Sequence, residues 1–113
     1  MESTRQEKIE KLIQKDIGEI FQQKEILFVP GAMITVTKVR VSKDLSVAKI
    51  FLSIFAAKDK EEALALIKSK TKEVRYKLGN RIRHQLRIVP ELIFYLDDSL
   101  DYIEKIENAL KKG

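Results

Sequence analysis

Apolar residues recur every three or four positions at the start of the chain, which is the spacing of one helix face. These positions are Ile9, Leu12, Ile13, Ile17, Ile20 and Phe21. Ser3, followed three residues later by Gln6, has the pattern of a capping box. A first helix is therefore expected to open at this pair and to run to about Gln23. Pro30 and Gly31 break the helical pattern and start an extended segment.

Two stretches then alternate apolar and polar side chains with the period of a β-strand. In residues 33–41, which are rich in β-branched side chains, the alternation slips by one position. A β-bulge near Thr37 or Lys38 would explain this slip. Residues 42–46 read as a polar turn, and the second stretch alternates cleanly. Its apolar positions are Ala48, Ile50, Leu52 and Ile54. The two stretches are expected to pair as an antiparallel hairpin.

A second helical pattern follows the hairpin, with Asp59 as its expected N-cap. Its apolar positions are Leu64, Ile67, Val74, Leu78 and Ile82. The spacing jumps between the second and the third of these positions, which predicts a break or kink at residues 69–72. Pro90 ends the helical pattern, because proline disrupts a helix interior.

A third strand is expected at residues 92–96, where apolar and less buried positions alternate again. Asp98 or Ser99 is then expected to cap a final helix. The apolar positions of that helix are Leu100, Ile103, Ile106 and Leu110. The order α, β, β, α with a kink, β, α predicts an α+β fold. A chain of 113 residues suits one domain, taken as residues 1–113.

Composition excludes several classes of chemistry. The chain has no cysteine, which excludes disulfides and thiolates, and the lone His84 cannot build an imidazole metal site. Residues 1–10 are charged and lack the apolar core of a signal peptide, and no run of about 18 apolar residues is present. A folded cytoplasmic protein without a metal or a cofactor is expected.

Positive charge is concentrated in residues 68–87, where eight basic residues face one acid, Glu73. The eight are Lys68, Lys70, Lys72, Arg75, Lys77, Arg81, Arg83 and Arg87. The formal net charge of the chain is +5, so acids slightly outnumber bases elsewhere. A solvated helix stabilised by ion pairs would alternate the sign of its charges. The pattern instead favours contacts with the phosphates of a nucleic acid.

Three stretches resemble the ribosome-binding factor A family. The most specific is LRIVPELIF at residues 86–94, continuing to Asp97, Asp98 and Ser99. The hairpin sequence VSKDLS, leading into AKIF, is the second stretch. The third and weakest consists of the opening helix and Val74 with the residues that follow it. Together they span most of the chain in the order of the family. The resemblance implies a KH domain of the second type, with helices packed on one face of a three-stranded sheet.

The same resemblance implies a function. It implies a monomeric factor that binds the free small (30S) ribosomal subunit and its 16S rRNA late in assembly, helps the rRNA to mature and leaves before translation. No catalysis, membrane, cofactor or small-molecule substrate is implied. The family usually kinks its long helix at an Ala-x-Gly sequence, which falls here on Lys70, Thr71 and Lys72. Since this chain has neither alanine nor glycine there, a gentler or shifted break is expected.

Other residues have competing interpretations. His84 would stack on a base or, more simply, lie at the surface. Phe51, Phe55, Phe94 and Tyr95 belong to strands at core or half-buried positions, where packing is favoured over base stacking.

Three acids also have two readings. Asp44 fits a polar turn better than catalysis, and Asp97 with Asp98 fits a helix cap better than a metal pair. Arg87 and Glu91 would pair with each other, or with other groups, to fix the entry into the last strand.

Two further classes of function stay open beside the ribosomal factor. A generic RNA or DNA binder acting outside the ribosome would show the same charge pattern. A protein-interaction domain would keep its partners at high salt, whereas phosphate contacts weaken steeply. An enzyme has the least support, because no nucleophile with a base, metal cluster or phosphate loop is found in the sequence.

Overall fold

The computed structural model describes residues 4–22 and 32–97 of the chain. In chain order the elements are α1 (Thr4–Gln22), β1 (Met33–Val41), β2 (Val47–Phe55), α2 (Lys60–Ser69), α3 (Thr71–Ile82) and β3 (Glu91–Leu96). The predicted α+β order is confirmed through β3. Ser3 of the expected capping box and the expected final helix after Asp98 lie outside the described residues.

The three strands form one sheet in the order β1-β2-β3. β1 pairs antiparallel with β2, as the hairpin prediction required, and β3 lies parallel to β2 on its other side. The pairing shifts register between Val36 and Lys38, so Thr37 is left without a partner across the ladder. The Thr37 hydroxyl donates to the Phe51 carbonyl at 3.2 Å instead. The predicted bulge is therefore confirmed at Thr37.

One face of the sheet is buried beneath the helices. α1 packs on β1, α2 packs on β3, and α3 packs against α1. The buried side chains of the strands are Val36, Val39, Val41, Ala48, Ile50, Leu52, Ile54, Leu92 and Phe94. The helices add Ile13, Ile17, Ile20, Ile67, Val74, Leu78 and Ile82, all at 0% exposure. The slip at Thr37 is what lets β1 keep its apolar residues on this face at both of its ends.

α1 also covers the open edge of β1 with polar side chains. Gln6 donates to the Val41 carbonyl at 3.1 Å, and Glu10 accepts from the Val41 N–H at 2.9 Å. Gln14 donates to the Val36 carbonyl at 3.3 Å. These three side chains are four residues apart and so share one helix face. They satisfy backbone groups that an edge strand would otherwise leave without hydrogen bonds.

The predicted break in the long helix is confirmed at Lys70. This residue ends α2 and precedes α3 with φ −106° and ψ 16°, and its N–H donates to the Ile67 carbonyl at 3.0 Å. The Thr71 hydroxyl donates to the Lys68 carbonyl at 2.6 Å. Because the φ angle of Lys70 is negative, this break needs no glycine. The Asp59 cap is confirmed as well, since its carboxylate accepts from the Glu62 N–H at 3.1 Å.

α3 ends at Ile82, eight residues before Pro90. The amides of Gln85 and Leu86 both donate to the Ile82 carbonyl, at 2.8 and 2.9 Å, which closes the helix in a turn. Leu86 is buried at 7% exposure and holds the turn on the core. The expectation of a helical pattern reaching Pro90 was therefore wrong by two turns. Arg83, at the end of α3, and Arg87 belong to the segment that connects α3 to β3.

Candidate nucleic-acid interface

The eight predicted basic residues follow one path along the molecule, from the end of α2 through α3 to the segment before β3. Lys68 lies in α2, and Lys70 lies at the break between the helices. α3 carries Lys72, Arg75, Lys77 and Arg81, and the connecting segment carries Arg83 and Arg87. Five of the eight are exposed, namely Lys68, Lys72, Arg75, Arg83 and Arg87. Lys70, Lys77 and Arg81 are half-buried.

Arg81 points toward α1 and pairs with its carboxylates. The Arg81 Nη1 atom lies 2.6 Å from an oxygen of Glu19 and 3.6 Å from an oxygen of Asp16. The Arg81 side chain is 24% exposed. Two carboxylates thus offset the charge of this guanidinium, and the contact joins α3 to α1. Its strongest described contacts are structural.

Arg75 holds the segment before β3 against α3. Its Nε atom donates to the Pro90 carbonyl at 3.1 Å, and its Nη2 atom donates to the Val89 carbonyl at 2.7 Å. A guanidinium has five N–H groups. Two hydrogen bonds leave donors that an exposed arginine still offers to a phosphate, so Arg75 serves the fold and remains a candidate contact.

A groove lies between α3 and this segment, which we call the α3 groove. Its lining residues are Lys72, Arg75, Tyr76, Gly79, Asn80 and Val89, around a cavity volume of about 500 Å³. A Cβ atom placed on Gly79 would lie 3.0 Å from Cγ2 of Val89, so the glycine permits the close approach of the two segments. Tyr76 is 72% exposed on the same side of α3. Basic, aromatic and amide side chains therefore converge on one concave surface.

The sequence reasoning did not identify Tyr76 or Asn80 as candidates. Lys72, Tyr76 and Asn80 are spaced four residues apart, so they share a helix face that contains no core residue. An aromatic side chain on the polar face of a basic helix was the available signal. The groove itself was not readable, because it depends on how Val89 approaches Gly79.

The other polar candidates have structural roles. Asp44 accepts hydrogen bonds from the hydroxyls of Ser42 and Ser46, each at 2.7 Å, and from the Ser46 N–H at 3.1 Å. The hydroxyl of Ser46 and then that of Ser42 lower the pKa of Asp44 to about 2. The turn interpretation of Asp44 is confirmed. Asp97 accepts from the Thr37 hydroxyl at 2.6 Å, which fixes the bulge.

Asp98, its expected companion, lies outside the described residues. Within residues 4–22 and 32–97, no cluster of three histidine, cysteine, aspartate or glutamate side chains is placed to hold a metal. Arg87 and Glu91 are both exposed on either side of the buried Pro90. His84 is exposed in the turn after α3.

The strand aromatics divide between the two faces of the sheet. Phe94 is 1% exposed and packs edge-on against Phe21, with 6.4 Å between the ring centroids. On the opposite face, Phe51 stacks on Tyr95 at 5.3 Å, and Lys38 Nζ lies 4.5 Å from the centre of the Phe51 ring. Packing is thus confirmed for these three aromatics. Phe55 is 57% exposed at the end of β2, so its expected core or half-buried position was wrong.

A sequence model of the ribosome-binding factor A family matches residues 5–110. The chain belongs to this family. A family member from Cytophaga hutchinsonii is 48% identical over 112 residues, covering 99% of this chain and 84% of the relative. A member from Flavobacterium johnsoniae is 50% identical over 111 residues, covering 97% and 85%.

Solved structures of the family have the same fold. The crystal structure of the Thermus thermophilus ribosome-binding factor A superimposes with a TM-score of 0.68 at 25% identity, covering 80% of this chain and 94% of that one. A homology model of the Thermus thermophilus protein, fitted into a cryo-EM map of a 30S–RbfA complex, gives 0.67 at 27% identity, covering 80% and 93%. The α+β fold and the place of the chain in the family therefore agree. Among the described helices, none is long and apolar enough to cross a membrane.

Proposed function

We propose that this protein is a ribosome assembly factor that binds the free small (30S) ribosomal subunit through its 16S rRNA and assists late rRNA maturation. It acts in the cytoplasm as a monomer, without a cofactor and without catalysis. The observation that carries the proposal is the continuous basic surface from Lys68 to Arg87 in a chain of the ribosome-binding factor A family. The 30S complex of the Thermus thermophilus relative supports the choice of partner.

The structure ranks the eight predicted phosphate contacts. Lys68, Lys72, Arg83 and Arg87 are exposed, so their charges are available to a polyanion. Lys70 and Lys77 are half-buried beside them and add to the same positive field. Arg75 and Arg81 hold the fold together through backbone carbonyls and the carboxylates of α1. Phosphate contacts release condensed counterions, so binding by this surface falls steeply as salt rises.

Sedimentation of small subunits with the purified protein tests this assignment. A triple variant with Lys68→Glu, Lys72→Glu and Arg83→Glu removes exposed charges without touching Arg75 or Arg81. We expect it to leave the 30S fraction, and we expect milder neutral substitutions to lower the slope of log K against log salt by about one unit per contact.

The matched control changes three exposed lysines of α1 with Lys8→Glu, Lys11→Glu and Lys15→Glu. This control has the same change in net charge on another surface, and it should remain on the subunit. Equal loss by both variants would show that net charge alone drives the association. Absence of the unchanged protein from every ribosomal fraction would reject the ribosomal role and favour a generic RNA binder.

The maturation role needs a separate readout. Cells depleted of the protein should accumulate incompletely processed 16S rRNA in free small subunits. The unchanged protein and the α1 control variant should restore processing, whereas the Lys68, Lys72 and Arg83 triple variant should not. Normal processing in depleted cells would restrict the protein to binding without a part in maturation.

A further inference from the structure

The α3 groove combines features that phosphate binding alone does not require. Tyr76 is 72% exposed, which makes it the most exposed aromatic side chain among the described residues. Within residues 4–22 and 32–97, its ring makes no ring contact and its hydroxyl makes no hydrogen bond. Exposing a large aromatic ring to water is unfavourable. An open ring face in the middle of a basic surface therefore indicates a stacking partner.

The neighbours of Tyr76 supply the other contacts that a nucleotide needs. Asn80 lies one turn further along α3, and its amide offers both a donor and an acceptor to a base edge. Lys72 lies one turn earlier, where its ammonium group is placed for a phosphate. Arg75 lies beside them with its guanidinium fixed by Val89 and Pro90. A fixed guanidinium loses little conformational entropy when it binds an anion.

The shape of the groove restricts what fits. A volume of about 500 Å³ is in the range of pockets that hold one small ligand. Gly79 keeps the floor low because a side chain there would collide with Val89. Duplex RNA hides the faces of its bases in the stack, so only an unpaired nucleotide presents a face to Tyr76.

Two other surfaces are less suited to this role. The groove along the edge of β1 is lined by Glu7 and Glu10 as well as by basic residues, and it contains no aromatic side chain. On the open face of the sheet, Tyr95 already stacks on Phe51 and is only 38% exposed. The α3 groove is thus the place where an accessible ring and positive charge occur together in the described part of the chain.

We propose that the α3 groove binds one unpaired nucleotide, with its base stacked on Tyr76, its edge bonded to Asn80 and its phosphate contacted by Lys72 and Arg75. This inference rests on the proposed function, and it names the RNA feature that the basic surface recognises. Stacking has little preference among bases, whereas the Asn80 amide supplies a modest one. The site therefore selects single-stranded RNA more than it selects a sequence.

The test compares a short single-stranded oligoribonucleotide with the same strand carrying abasic sites, which keeps the phosphates and removes the bases. The unchanged protein should bind the intact strand more tightly. Tyr76→Leu should weaken binding of the intact strand roughly 5- to 150-fold, the range expected for one lost stack, and should bring the two affinities together. Tyr76→Phe keeps the ring and should stay within about threefold of the unchanged protein.

Salt dependence separates the base contact from the phosphate contact. Tyr76→Leu removes no charge, so the slope of log K against log salt should not change, whereas Lys72→Ala should lower it by about one unit. Tyr95→Leu is the matched aromatic control on the sheet, and it should keep the preference for intact RNA. Circular dichroism and thermal unfolding confirm that each variant is folded.

The outcomes also distinguish this inference from the proposed function. Equal affinity of the unchanged protein for intact and abasic strands, or an undiminished preference in Tyr76→Leu, would overturn the nucleotide site while leaving the 30S association standing. Loss of 30S binding by Tyr76→Leu with its oligonucleotide preference intact would assign Tyr76 to a protein contact and overturn the site as well. Selective binding of intact RNA by a protein that never sediments with 30S subunits would support the site and reject the ribosomal role.

Discussion

Gly79 lies where α3 passes closest to the segment before β3. An exposed glycine inside a helix usually gains about 1 kcal/mol when replaced by alanine. Here the new Cβ would lie 3.0 Å from Cγ2 of Val89, whose carbonyl is held by Arg75. We expect Gly79→Ala to lose the usual gain and to leave stability unchanged or reduced by up to about 1 kcal/mol.

Gly18 of α1 is the matched control for that substitution. A Cβ at this position meets no described atom within 4 Å. Gly18→Ala should therefore raise the free energy of unfolding by about 0.5–1 kcal/mol. Urea denaturation of both variants measures the difference between them. An equal gain at the two positions would show that Val89 moves aside freely and that the groove floor is soft.

The Asp44 turn predicts a dependence on pH. Hydrogen bonds from Ser46 and Ser42 hold the pKa of Asp44 at about 2, against an ordinary value of 3.8. The folded state favours the ionised carboxylate, so its stabilising effect is present above pH 3.8 and is lost as the pH falls toward 2. An NMR titration of the Asp44 carboxyl should give the low pKa directly. Ser46→Ala should raise it, since the Ser46 hydroxyl is the largest cause, and an unchanged value would contradict the hydrogen bonds described here.

At the scale of the elements, α1 stabilises the sheet through Glu10. This buried carboxylate accepts from the Val41 N–H at 2.9 Å and lies 3.5 Å from Arg40 Nη1. Glu10→Ala leaves an edge-strand amide without this acceptor, which costs about 1–3 kcal/mol. Glu10→Gln keeps an acceptor oxygen and should cost less.

Amide hydrogen exchange localises this effect. Exchange at Val41 should accelerate in Glu10→Ala beyond the change expected from global stability, because the strand edge opens locally. The Thr35 and Ser53 region in the middle of the hairpin serves as the internal reference, since those residues pair within the sheet. Uniform acceleration across the hairpin would mean that Glu10 acts only on the global unfolding equilibrium.

The elements that sequence reasoning predicted are those whose cause is local. The slip at Thr37, the cap at Asp59 and the break near Lys70 each follow from the spacing of a few neighbouring residues. The partners of Arg75 and Arg81 lie 14 and 62 residues away from them, so no local pattern reveals them. The same holds for the α3 groove, which exists only because the segment before β3 folds back on α3. The basic surface was predicted as a set, and its division into structural and exposed members required the fold.

At the scale of the whole molecule, the basic surface opposes the stability of the free protein. Like charges from Lys68 to Arg87 repel one another when no polyanion is bound. Neutralising three exposed members with Lys68→Gln, Lys72→Gln and Arg83→Gln should therefore stabilise the free protein at low salt, by roughly 0.5–1 kcal/mol. The gain should shrink at about 1 M salt, where the Debye length falls to about 3 Å.

The same three substitutions should weaken binding to the small subunit, so stability and affinity should change in opposite directions. Lys8→Gln, Lys11→Gln and Lys15→Gln on α1 are the control, because those lysines lie near Glu7, Glu10, Asp16 and Glu19 along the same helix. That control should lose a little stability at low salt, since favourable pairs are removed. Thermal unfolding across a salt series measures both variants. A gain in the α1 control as large as the gain in the basic-surface variant would show that net charge, and not the clustering of charge between α2 and β3, sets the stability of the free protein.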